Sequence, residues 1–202
     1  MKPAVTGIIL AGGQGRRMGH TDKGLQPFRG EPLIAHVLAR FAPQVDEVLI
    51  NANRNIDAYV RFGHRVVPDA MKGYAGPLAG FERGLTEASH PLVATVPCDS
   101  PLLPADLIER LATALFNHDA ELAVAKTFDQ PHPVFCLCYK TLASHLRKFL
   151  DNGGRKIDKW YGALRTVEVS FDDEEIAFSN INTLDELVAL EAAKTLSPIS
   201  NC

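Results

Sequence analysis

The sequence has no apolar run approaching the roughly 20 residues a helix needs to cross a bilayer, so no membrane span is expected. It also lacks a basic excess: 21 Lys plus Arg stand against 24 Asp plus Glu, a net charge of −3. Without a broad basic face, nucleic acid is not an expected partner. Cysteine is sparse. The four residues Cys98, Cys136, Cys138 and the terminal Cys202 are fewer than a secreted disulfide scaffold normally carries. No second Cys/His pair accompanies Cys136-Leu137-Cys138 to make a metal site, and strand alternation would put both thiols on one face as core residues. The expectation is a reduced, cytoplasmic chain. The N-terminus imitates a secretory leader only briefly, with Lys2 before an apolar stretch at 5–11. Arg16-Arg17 then stand where a neutral cleavage region belongs, and a buried strand explains the stretch better.

What is present fits one domain over 1–202. The 202 residues fall below the ~250 at which single cores usually stop growing. A charged fraction of 22% lies near the ~25% of ordinary globular chains and speaks against disorder. Val5–Leu10 reads as a β-branched strand ending in a Gly-rich loop at 11–15. Pro32 opens a helical pattern to Arg40, with Leu33, Val37 and Phe41 on one face. Further strands are expected at 48–50, 65–67 and 92–96, and helices at 56–62, 77–86 and 104–117. This alternation predicts a parallel sheet with right-handed crossovers, covered on both faces. After Glu121 the rhythm changes: 122–125 and 134–139 read as consecutive strands, followed by helices from Leu142 and Ile157. A strand at 164–169 and a helix from Leu184 finish the chain. The expected fold is a three-layer α/β/α, Rossmann-like, mostly parallel sheet with an antiparallel addition in the C-terminal half.

In such sheets ligands bind beyond the carboxyl ends of the strands. The first strand is followed by Leu-Ala-Gly-Gly-Gln-Gly-Arg-Arg-Met-Gly at 10–19. Its glycines let backbone N–H groups approach phosphate oxygens, and Arg16, Arg17 and Lys23 supply charge. Lys23 is followed by Gly24 rather than Ser or Thr, which excludes a P-loop, and the spacing misses a dinucleotide fingerprint. The second strand is followed by Asn51 and Asn53, whose amides could read a base or ribose or simply favour a turn. Asp69 follows the third strand, then Gly76, Pro77, Leu78, Ala79 and Gly80, a small-residue helix start that admits a ligand or a packed neighbour. Asp99, between Pro97 and Pro101, would suit a magnesium ligand facing a triphosphate loop; the alternative is a turn cap.

Together these motifs resemble the nucleotidyltransferases whose loop reads L-A-G-G-x-G-x-R-M, and more closely the molybdenum cofactor guanylyltransferases. The matching residues are the loop at 10–19, Asp22-Lys23-Gly24, Asn51-Ala52-Asn53-Arg54, the segment at 76–80, Pro97-Cys98-Asp99 and Asn180-Ile181-Asn182-Thr183. The resemblance implies transfer of GMP from GTP to molybdopterin, with release of pyrophosphate. It implies a GTP-binding half near 1–100 and an acceptor-binding half near 101–195. Leu10, Ala11, Gly12 and Gly13 would contact GTP through the loop, with Gly76, Pro77 and Leu78 beside it. Lys23 would engage phosphate, and Asn51 and Asp69 would hold the nucleoside. Asp99 would bind nucleotide and Mg2+, while Asn180 and Asn182 would lie near the metal and the acceptor. Arg17 is inferred as a phosphate clamp, which makes Arg17, Lys23 and Asp99 the expected catalytic set. Expected partners are cofactor-insertion proteins and apo-molybdoenzymes, met transiently by a monomer.

The acceptor is a phosphate monoester with a second pKa near ~6, so it needs no strong general base. Two rivals remain at this stage: a cytidylyltransferase acting on the same cofactor, and a non-catalytic carrier of finished cofactor. Elsewhere, His132 lies between two prolines ahead of a strand and could belong to the acceptor side or to a plain loop. Trp160 and Tyr161 could stack on a pterin or pack into the core. The acidic run at 172–175 reads as a solvated turn.

Overall fold

Residues 3–11, 22–70 and 76–178 are described by a computed structural model of the chain. The β-branched run Val5–Leu10 forms strand β1. A 3-10 turn at Lys23–Leu25 and a short hairpin, β2 (Pro27–Phe28) and β3 (Glu31–Pro32), lead into helix α1 (Leu33–Phe41). Strand β4 (Glu47–Asn51), helix α2 (Ile56–Val60), strand β5 (Arg65–Val67), helix α3 (Pro77–Glu87) and strand β6 (Leu92–Pro97) follow. The second half holds α4 (Leu107–Asn117), β7 (Leu122–Thr127), β8 (Gln130–Tyr139), α5 (Ala143–Asp151), α6 (Ile157–Tyr161) and β9 (Thr166–Ser170). A 3-10 segment at Asp172–Phe178 closes the described chain.

Seven strands form one sheet in the order β5-β4-β1-β6-β8-β7-β9. The pairings β4–β5, β1–β4, β1–β6 and β7–β9 are parallel, while β8 is antiparallel to both β6 and β7. A single reversed strand is therefore the antiparallel addition. Side chains alternate across the pleat, so Ile9 and Ile50 bury on one face while Ile8 and Leu49 bury on the other. The first face packs against α1, α2 and α4 through Val37, Phe41, Tyr59, Leu107 and Leu111. The second packs against α3, α5 and α6 through Leu78, Phe81, Leu146 and Trp160. These are the three layers.

Two predicted helix starts are corrected. Pro32 does not begin α1: it pairs with Pro27 in the hairpin, with φ −59° and ψ 144°. Likewise α4 begins at Leu107 rather than Pro104. The carbonyls of Leu103 and Pro104 accept from Arg40 Nε and Gln44 Nε2, so those groups serve a tie to α1 and the segment after it instead of a helical turn. The acidic run at 172–175 is exposed, as expected, but it lies in a 3-10 segment and is tied to its surroundings. Asp173 takes both terminal nitrogens of Arg110 at 3.0 Å, which holds its carboxyl below the usual range, and the Asp172 carboxylate accepts from the Phe128 amide.

Candidate active site

The parallel strands end in step. Across the sheet Val67 faces Asn51, Asn51 faces Leu10, and Leu10 faces Pro97, so the segments that follow leave one common edge. Two backbone bonds carry this alignment past the strands: Ala11 N–H donates to Asn51 O at 2.8 Å, and Cys98 N–H donates to Leu10 O at 3.2 Å. Of the expected site residues, Leu10, Ala11, Asn51, Asp69 and Asp99 are thereby gathered at that edge.

On one side of the edge the Asp69 carboxylate is held by two amides. Asn51 Nδ2 donates to its Oδ1 at 2.9 Å, and Asn53 Nδ2 donates to its Oδ2 at 2.9 Å. Asn53 Oδ1 in turn accepts the Asp69 backbone N–H at 2.8 Å. Asn51 also donates to Val67 O at 3.0 Å, so both of its amide hydrogens are engaged within the protein. Its side chain, only 2% exposed, orients Asp69 and has no hydrogen left to offer a base. Asp69 itself is half-buried, and a carboxylate has lone pairs for more than these two donors.

The small-residue segment proves to be a packing device at its far end. Gly76 precedes α3 as its cap, and Pro77 and Leu78 form its first turn. One turn later Gly80 lies against the Asn51 amide, where a Cβ would fall 2.0 Å from Oδ1 and 2.6 Å from Cγ. Glycine is required there because α3 presses directly on the side chain that steers Asp69.

On the other side of the edge, Lys23 Nζ meets Asp99 Oδ2 at 3.2 Å. The lysine comes from the 3-10 turn and the aspartate from the segment after β6, so the pair joins positions 76 residues apart. Asp99 is 8% exposed. Behind it the Cys98 thiol is pushed well up, first by burial and then by the Asp99 and Asp22 carboxylates. It stays a neutral thiol and does not compete for cations.

Strand β8 brings the second half of the chain to the same edge. Thr95 Oγ1 donates to Val134 O at 2.6 Å, which aligns the start of β8 with the end of β6. His132 is part of this strand, not a loop. Its ring stacks on Phe178 at 4.7 Å, and Nε2 lies 2.7 Å from Thr127 Oγ1. Burial lowers its pKa from the ordinary 6.5, so the folded protein holds the ring neutral more firmly than the unfolded chain does. Stability should accordingly be at its full value above about pH 6.5 and fall as the pH drops through the lowered value. His132→Gln should flatten that part of a melting-temperature profile between pH 7 and pH 5; an unchanged profile would contradict the assignment.

Trp160 is 1% exposed, lies edge-on to Phe81 with ring centroids 5.4 Å apart, and donates Nε1–H to His145 Nδ1 at 3.0 Å. It belongs to the core and is not available to stack on a pterin. Cys136 and Cys138 share the second face as predicted, and burial pushes the Cys136 thiol up to about 12. Gly12, Gly13, Arg17, Asn180 and Asn182, together with the helix expected from Leu184, lie outside the described residues.

The profile of the MobA-like NTP transferase domain matches residues 7–167. A protein of Cupriavidus metallidurans named molybdenum cofactor guanylyltransferase is 52% identical over 195 residues, covering 94% of this chain and 96% of its own. The chain belongs to the molybdenum cofactor guanylyltransferases. A Methylibium petroleiphilum member of that name is 51% identical over 94% of this chain and 97% of its own. The fold agrees with the crystal structure of molybdopterin-guanine dinucleotide biosynthesis protein A from Archaeoglobus fulgidus. That match has a TM-score of 0.79 at 25% identity and covers 95% of this chain and 100% of the other. The architecture is shared more widely. A 4-diphosphocytidyl-2C-methyl-D-erythritol synthase from Anaerococcus prevotii superposes with a TM-score of 0.73 at 14% identity, over 96% of this chain and 100% of its own. As a member of the guanylyltransferase family the chain is a nucleotidyltransferase. To the Asp22-Lys23-Gly24 motif the structure adds two distant residues that sequence reasoning missed, Asn55 and Tyr59, both bonded to Asp22. The only advance signal was a tyrosine in a short helix directly after an asparagine-rich strand end.

Proposed function

We propose that this chain transfers GMP from GTP to the terminal phosphate of molybdopterin. An acceptor phosphate oxygen forms a bond to the α-phosphorus, the bond to the β-phosphate breaks, and pyrophosphate leaves. The observation that carries the proposal is the Lys23–Asp99 pair, held at a strand edge that the reversed strand β8 also reaches. Asp69, steadied by Asn51 and Asn53, supports a site for the guanine. Its two acceptor oxygens match the donor N1–H and N2–H edge of that base, whereas cytosine presents a single N4 donor beside the N3 and O2 acceptors.

The donor set fits Mg2+, which usually takes one or two carboxylates together with substrate phosphates rather than a protein cage. Asp99 offers such a carboxylate, and among the described residues no cluster of three or more His, Cys, Asp or Glu side chains forms a cage. When bound, the ion would supply positive charge against the phosphate oxygens. Lys23, within reach of the same carboxylate, would neutralise charge that builds on the departing pyrophosphate, with Arg17 as a second clamp. The loop of Leu10, Ala11, Gly12 and Gly13 would hold the phosphates by backbone N–H groups, beside Gly76, Pro77 and Leu78. Asn180 and Asn182 would serve the acceptor end. Holding both anions in line supplies much of the remaining acceleration.

We read residues 1–202 as one domain, its GTP half near 1–100 and its acceptor half near 101–195, working as a cytoplasmic monomer. Cofactor-insertion proteins and apo-molybdoenzymes are its proposed transient partners. Among the described residues no helix is long and apolar enough to cross a membrane. The direct test is pyrophosphate release from GTP, CTP and ATP with Mg2+ and molybdopterin, repeated without the acceptor. Release with GTP alone, dependent on acceptor, is expected. Release with CTP would move the chain to cytidylyl transfer, and release with none would leave a carrier.

A further inference from the structure

The turn that bears Lys23 rests on a partly buried polar contact that its own motif does not explain. Asp22 stands at the N-terminal cap of that turn, yet its carboxylate caps nothing. It points to α2, where Tyr59 OH donates to Oδ1 and Asn55 Nδ2 donates to Oδ2 at 3.0 Å. Tyr59 is fully buried, and burial above all pushes its phenol pKa far up, so it remains a hydroxyl donor. Its hydroxyl also lies where the lysine turn approaches the aspartate segment. A Cβ on Gly24 would fall 2.6 Å from Tyr59 OH and 3.2 Å from Cys98 Sγ. Gly24, next to Lys23, is thus packed against both the Tyr59 phenol and the side chain of Cys98, the neighbour of Asp99. Asn55 reaches Asp22 from a left-handed backbone, φ 50° and ψ 33°, a conformation uncommon outside glycine.

We propose that Tyr59, with Asn55, is a positioning residue that acts through Asp22 to fix Lys23 against Asp99. The inference rests on the reading of Lys23 as the amine that meets charge on the reacting phosphates. Asp22 is taken up by α2 in this arrangement and does not bind substrate. The hydroxyl sets how far the turn can rise from the strand edge, and so the place of Nζ.

A double-mutant cycle on pyrophosphate release tests this, with kcat and KM for GTP measured separately and melting temperature recorded for each variant. Lys23→Met should lower kcat by about a hundredfold or more, as loss of a charge-stabilising donor does. Tyr59→Phe should lower kcat about tenfold with KM for GTP changed less than about twofold, the scale of one hydrogen bond to a charged group. In the Lys23→Met background the same Tyr59→Phe change should cost less than about twofold, because the group it positions is gone. An equal loss in both backgrounds, or none in the wild-type background, would overturn the proposal. A fully active Lys23→Met variant would remove Lys23 from the reaction and this inference with it, an outcome visible in that single variant alone. Should Tyr59→Phe fail to fold, Asn55→Gly runs the same cycle, since it deletes an exposed amide and keeps a residue suited to positive φ. Its expected effect is smaller, about threefold in kcat, and again confined to the background that retains Lys23.

Discussion

Asp99→Ala is expected to reduce pyrophosphate release by at least about a thousandfold while leaving the fold intact. The activity loss follows from the position of the carboxylate. It is the acidic group at the strand edge that meets Lys23, and it offers the oxygens that would hold the nucleotide's metal ion. The small stability cost has a separate cause. Lys23 keeps 27% of its side chain exposed and has a further interaction of its own, so the change does not leave a lone charge sealed from water. The melting temperature should therefore move by only a few degrees. Asp99→Asn keeps the shape and should be nearly as inactive, which separates charge from packing. Turnover within about tenfold of wild type, in a variant that melts normally, would take Asp99 out of the metal role.

Gly80→Ala is the second large effect, and it acts at the other end of the edge. The added methyl would fall on Asn51, whose side chain cannot swing away because Val67 O and Asp69 hold its amide. Overpacking of this kind costs about 1–3 kcal/mol, against roughly 1 kcal/mol gained by replacing glycine inside a helix. The net loss of stability should thus be modest and the functional loss larger, since moving Asn51 releases Asp69. A rise of about tenfold in KM for GTP, with kcat less affected, is expected. The cause can be checked by coupling. In an Asn51→Ala background the methyl keeps only the milder 3.1 Å approach to Leu10, and Gly80→Ala should cost at least about 1 kcal/mol less in a denaturant titration. Additive losses would mean that the clash is relieved elsewhere.

Much of this site was legible in the sequence because its groups come directly after β-branched runs. A strand that ends at Leu10, Asn51, Val67 or Pro97 announces where its next residues emerge, and parallel pairing brings those places together. What could not be read was how the groups divide their hydrogen bonds. Asn51 looked like a donor for a ligand, and only its contacts with Val67 and Asp69 show both hydrogens taken. Gly80 could have made room for a ligand or for a packed neighbour, and the neighbour is Asn51. The bond from Tyr59 to Asp22 spans 37 residues, and no local pattern encodes it. The two helix starts failed for a related reason. Pro32 and Pro104 carry the local preference for a first turn, but a hairpin partner and two side-chain donors from α1 and the segment after it compete for the same backbone. Trp160 illustrates the converse: an aromatic beside lysines could be a stacking platform or a core residue, and its contacts with Phe81 and His145 decide for the core.

Strand β6 is zipped on both sides, by a parallel register to β1 from Val5–Leu92 through Leu10–Pro97 and by an antiparallel one to β8 from Leu92–Tyr139 to Thr95–Cys136. A two-lobed enzyme can clamp its reactants by swinging about a crease, but here the strand where a crease would run is stitched to both neighbours. Swinging would tear backbone hydrogen bonds from a strand buried from Leu92 to Val96, whose groups would then face neither water nor partner. The sheet is therefore a workbench rather than a jaw. On the proposed reading, nucleotide and acceptor would meet along one edge whose strand spacing is set before either is bound.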